Sequence, residues 1–195
     1  MYADVEKRLK KKNKMLFSRD SKCLQELLRL IELQKHRTLV MWALECAQIP
    51  LEQIEKTYLD EHRPRRALEL CEAWAKGEIK MPPAKQAILD AHTAAKEVNN
   101  DVFAALCHAV GHAGATVHVE THAIGLPIYE LTAIVLTNGD YQALVGEKVQ
   151  YYCERLLFWQ ENIDAQPRKW ASFLADDTRP NKEKLLSDKN KMELS

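Results

Sequence analysis

The chain has 195 residues, 46% of them hydrophobic and 29% charged, with 28 acids balanced by 28 lysines and arginines. That length and apolar content suffice for one sizeable core and argue against two, and a net charge of zero excludes a molecule-wide field that would gather nucleic acid or anionic lipid. Five cysteines, odd in number and far apart, speak against a disulfide framework or a C-x-x-C metal or redox pair; with no apolar secretory segment after the lysine-rich start, they predict a cytoplasmic protein.

The run EKRLKKKNK over 6–14 offers few apolar contacts and reads as a basic arm or solvated helix over 1–19. Asp20 and Ser21 start a helix with Leu24, Leu27, Leu28 and Ile31 at helical spacing, and TLVMWALECA forms a second with Leu39, Trp42, Ala43 and Cys46 on one face, stopped before Pro50. Leu51, Ile54, Tyr58 and Leu59 continue a shorter third. Pro64 suits the first turn of a helix running to Ala75 and ending at Gly77. Pro83 opens the next, whose inner face of Ala87, Ala91, Ala94 and Ala95 favours tight packing.

Asn99, Asn100 and Asp101 then cap the segment the chain is organised around, 101–130, in which Glu120 is the only charge between the terminal acids. A helix apolar nearly all round belongs in the middle of a bundle. His108 and His112 stand four apart, as do His118 and His122, so one unbroken helix would hold all four within an arc of about 120°, beside the small residues Gly111 and Ala115. Weak helix formers predict a break near Thr116 to Thr121, with Thr121 capping the next helix. A helix through LTAIVL, a long one from Asp140 and a short element at Pro167 and Trp170 complete the body over 20–175, and from Asp176 to 195 the polar composition predicts a mobile tail. No segment shows a period of two, so the fold class is all-α, a single-domain multi-helix bundle of about seven to nine helices around the His/Ala/Gly-rich centre.

Four histidines on one arc invite a metal, with His92, His112, His118 and His122 as candidate ligands. There is no H-E-x-x-H, and all-histidine zinc sites are uncommon. The competing reading is structural: His92, His118 and His122 buried, neutral, and hydrogen-bonded to carbonyls or to groups such as Thr93, Thr116 and Tyr129. Cys107 and His108 are neighbours pointing about 100° apart, so they form no dyad. No nucleophile elbow or phosphate-cradling glycine loop occurs, and the acid pairs Asp60-Glu61 and Asp176-Asp177 lie in polar hinges. In the hinge 60–66, Arg63, Arg65 and Arg66 either clamp the loop to a neighbouring helix or hold a partner.

With these residues in hand, the chain resembles the putative immunity protein family (immunity-five-like domain) of bacterial polymorphic toxin systems. Four places carry the resemblance, from about Glu32 to Leu136: Trp42-Ala43 with Cys46-Ala47; Arg63-Pro64-Arg65 with Ala67-Leu68, Trp74 and Gly77; Ala91-His92 with Ala94-Ala95 and Glu97; and Ala113, Ala115-Thr116, His118-Val119 and His122-Ala123, with Tyr129 beyond. His108 lies outside that signature. The resemblance implies an all-helical, non-enzymatic protein that binds and neutralises a cognate protein toxin; no cofactor is expected, and the balanced charge predicts neither a nucleic-acid nor a membrane partner. Its candidate site residues are Trp42, Arg63, Arg65, Trp74, His92, His118, His122 and Tyr129.

Overall fold

The computed structural model describes residues 1–165 and 167–193, and every regular element among them is helical. In chain order these are α1 (Ala3–Lys10), α2 (Gln25–Glu32), α3 (His36–Cys46), α4 (Gln48–Thr57), α5 (Arg63–Ala75), α6 (Met81–Glu97), α7 (Asp101–Ala115), α8 (Gly125–Thr137), α9 (Gln142–Asn162), the single turn α10 (Ser172–Ala175) and α11 (Lys182–Glu193). Single 3-10 turns at Lys22–Leu24 and Glu120–His122 lead into α2 and α8.

The middle of the bundle is α7, against which α3, α4, α5, α6 and α8 all pack. Ten of its fifteen residues are buried, which the near-absence of charge requires. The Asn100 side chain accepts the Phe103 amide at 3.0 Å, satisfying one of the unpaired donors at the helix start. Small residues set the spacing of its neighbours. The alanine face of α6 is buried as its spacing predicts, and Gly114 lies so close to α5 that a Cβ there would stand 2.9 Å from the Cys71 sulfur. The α5 helix stops where its sequence says it should: Gly77 takes φ +73° and returns its amide to the Trp74 carbonyl at 2.9 Å, a conformation an L side chain resists.

A second polar layer joins α3, α8 and α9. The indole N–H of the fully buried Trp42 donates to the Tyr152 carbonyl at 3.0 Å, and the two rings meet edge-on at 5.6 Å. The Tyr152 hydroxyl donates to the buried Glu130 carboxylate, whose other oxygen is held by the Lys148 ammonium at 2.6 Å. Burial pushes the Glu130 carboxyl upward, against the pull of Lys148.

Some details differ from the sequence reading, for identifiable reasons. Leu59 is exposed, because α4 ends at Thr57 and the chain turns away. The helix before Pro50 ends at Cys46 as its sequence predicts, but Pro50 itself lies inside the next helix, in the first turn of α4, where no amide is needed. Thr121 caps nothing: its carbonyl accepts from Arg19 at 2.7 Å, and α8 begins only after Ile124, without a side-chain cap. Within the segment whose composition predicts a tail, residues 182–193 form α11 against α2 and the 120–122 turn, while 194 and 195 lie outside the described residues. Polar contacts hold this helix. Asn181 donates to the carbonyls of Ile31 and Gln34, in and just beyond the last turn of α2, at 2.8 and 2.9 Å, and the buried Glu183 pairs with Arg19.

Candidate functional site

Where α6, α7 and α8 meet, the structure gathers His92, His108, His112, His122 and Tyr129. The Nδ1 atoms of His92 and His108 lie 2.8 Å apart, so one ring donates its proton to the other and the two must hold complementary protonation states. His112 stacks on Tyr129 at 5.2 Å and 21°, with the rings of His92 and His122 each 5.4 Å away. Two glycines make the room. A Cβ on Gly111 would stand 2.6 Å from His92 Cε1, and one on Gly125 only 2.4 Å from His112 Cγ and Nδ1. The sequence therefore builds this layer by placing glycine opposite imidazole on each facing helix.

Electrostatics keep the cluster neutral. Burial is the main cause, and neighbouring histidines add to it: the His112 pKa falls to about 3 and that of His92 to about 4. His108 is lowered by burial and then by Lys96 and Lys14, and His122 by burial, His118 and Arg19. His112 Nδ1 is enclosed and has no hydrogen-bond partner among the described residues. A further, half-buried histidine outside the cluster, His36, donates Nε2–H to the Thr116 carbonyl at 2.6 Å, with Nδ1 3.6 Å from Glu120; burial lowers its pKa although Glu120 opposes the shift.

The break after Ala115 sorts the sequence candidates into separate places. It carries His118 out of the arc, where it is exposed and stacks on Trp74 at 6.1 Å, contrary to the expectation that it is buried. The same break returns His122 to the side of His112. Thr93 and Thr116 spend their hydroxyls on the Leu89 and His112 carbonyls of their own helices, so neither serves the cluster. Trp74 is buried between His118 and Phe173, and Trp42 belongs to the α3–α9 layer described above. Two of the three hinge arginines are tied down: Arg63 reaches Glu61 at 2.5 Å and Glu97 at 2.7 Å, joining the start of α5 to the end of α6. Arg65 grips both oxygens of Glu55 at 2.8 and 2.7 Å, joining α5 to α4.

Among the described residues no group of three or more His, Cys, Asp or Glu is placed to hold a metal. The physical reason is that the imidazoles meet ring to ring, and His118, one of the four proposed ligands, faces Trp74 instead. Burial pushes the Cys107 and Cys71 thiols up to about 12, so neither supplies a thiolate near neutral pH. What the cluster offers is uncharged imidazole and phenol, opening beside Tyr129 and His108 onto a cavity at the α6–α7 junction. Sequence reasoning set His108 aside because it stands outside the signature. Its spacing of four from His112 was the available signal.

The family model described as Imm-5 like putative immunity protein matches residues 29–156. This span holds α3 to α8, parts of α2 and α9, and the whole histidine cluster; α1, α10 and α11 lie outside it. No curated protein and no solved structure matches the chain.

Proposed function

The chain belongs to the Imm-5 like putative immunity protein family, and from that premise we propose that it is a non-enzymatic cytoplasmic protein that binds and neutralises a cognate bacterial protein toxin. The observation that carries the reading is the extent of the family match, which spans the central bundle. The chemistry supports it. The central histidines are held neutral by burial, with His92 and His108 paired to each other, and Arg63 and Arg65 are engaged in ion pairs that fix helices. Such groups build a rigid scaffold on which a binding face can be presented. No described helix is long and apolar enough to cross a membrane.

The experiment is purification of the chain from its native host, identification of the protein that accompanies it, and expression of that protein in a test bacterium with and without the chain. The expected result is growth arrest by the partner alone and restored growth on co-expression, with a complex stable through gel filtration. A partner that is harmless alone, or equally toxic with the chain present, would overturn the reading.

A further inference from the structure

A cavity of about 500 Å³ lies at the junction of α6 and α7, within the size range of small-molecule sites. Its walls include the short apolar side chains of Ala95, Val98 and Ala105, while His108 and Tyr129 bring it hydrogen-bonding groups from the cluster. Nδ1 of His108 is committed to His92, which leaves Nε2 as the atom able to meet a ligand. Neither Nε2 nor the Tyr129 hydroxyl has a hydrogen bond among the described residues, although neither is a sealed, orphaned atom.

The charges around this cavity are unequal. Lys14 and Lys96 both line it and form no salt bridge among the described residues, and both act electrostatically on His108. Lys14 arrives there through a turn in which Lys12 takes φ +55°, a left-handed conformation unfavourable for a residue with a side chain, directly after the basic end of α1. Two carboxylates are also present. Glu97 is drawn to Arg63 at 2.7 Å, and Asp101 occupies the first turn of α7, where the helix end offsets its charge. Two unpaired ammonium groups thus face two carboxylates that are each already compensated.

We infer that this cavity is a binding site for a small oxyanion ligand, a phosphate or carboxylate on a short apolar body, held by Lys14, Lys96, His108 and the Tyr129 hydroxyl. The ammoniums supply charge, the imidazole and phenol supply directed hydrogen bonds, and the alanine and valine wall accepts the apolar part. The inference rests on the cavity and its lining, and it does not depend on the toxin reading.

The test is a titration of the full chain with inorganic phosphate and, separately, with pentanoate, at pH 7.5 and constant ionic strength, following the histidine ring protons by NMR. Saturating shifts at His108 with at least one of the two anions, with His118 unmoved, are expected. In a Lys14→Ala/Lys96→Ala variant the apparent affinity should fall about tenfold or more. Both lysines are exposed, so the variant should keep its fold, which far-UV circular dichroism checks. Shifts that grow linearly with both anions, that appear equally at His118, or that persist unchanged in the double variant would overturn the inference. None of these outcomes bears on the toxin partnership, because no toxin enters the experiment.

Discussion

Adding one methyl group to Gly125 tests whether the histidine layer is packed as the geometry says. The new Cβ would stand 2.4 Å from His112 Cγ and Nδ1 and 2.8 Å from His112 Cβ, an atom fixed to the α7 backbone. The ring cannot simply swing aside, since Tyr129 stacks on it at 5.2 Å and the rings of His92 and His122 lie 5.4 Å away. Either α8 shifts off α7 or His112 leaves its rotamer, and overpacking of this kind costs about 1–3 kcal/mol. Alanine recovers less than the ~1 kcal/mol of propensity it gains in a helix interior, because Gly125 is the first residue of α8. Gly125→Ala should therefore destabilise the fold by about 1–3 kcal/mol. The control is Gly146→Ala on the exposed side of α9, where the nearest atom to a Cβ is the Tyr2 hydroxyl at 3.7 Å; it should stabilise by about 0.5–1 kcal/mol. Gly111→Ala falls between the two, because its Cβ would strike the outer edge of His92, which can move at the expense of the bond to His108. Urea melts of all three at pH 7.5 supply the comparison. A Gly125→Ala protein as stable as the parent, with Gly146→Ala behaving as stated, would refute the packing argument.

Acid should weaken the fold through the same layer. The folded pKa values of His112 and His92, about 3 and about 4, lie below the unfolded value of about 6.5. Their contribution is therefore complete above about pH 6.5 and is lost as pH falls, by up to about 1.4 kcal/mol per pH unit for each histidine that stays neutral. His112→Gln should flatten that slope in melts between pH 6.5 and 5, and a variant that keeps the full slope would place the titrating group elsewhere. Arg19→Ala should release α11, because it strips the partner from the buried Glu183 and the donor from the Thr121 carbonyl. Hydrogen exchange should show protection lost over 182–193 and retained in α7, and an α11 that stays protected would show that other contacts hold it.

What could be read from the sequence was the part governed by local periodicity. The charge-poor run 101–115 had to be a buried helix, the alanines of α6 had to form its inner face, and Gly77 had to end α5; all three are read from spacing within a single element. The histidine layer was legible only in half. His108 and His112 share a helix, so their four-residue spacing placed them together, and the glycine beside them foretold a close neighbour, which proved to be His92. His118 and His122 show the same spacing, but they come after the break, and a break adds a rotation that no periodicity encodes. The chain turns between Thr116 and Val119 so that His118 goes to Trp74 and His122 comes back to His112. The docking of α11 was illegible for a different reason. Its only buried side chain is a glutamate, and Asn181 pins it by donating to the carbonyls of Ile31 and Gln34. Hydrophobic patterning detects elements that are held by apolar burial; an element held by a buried carboxylate and a distant arginine gives no such pattern. Composition alone therefore assigns such a segment to the solvent, and it is the three-dimensional meeting of Arg19 with Glu183 and of Asn181 with the end of α2 that brings it back to the body of the protein.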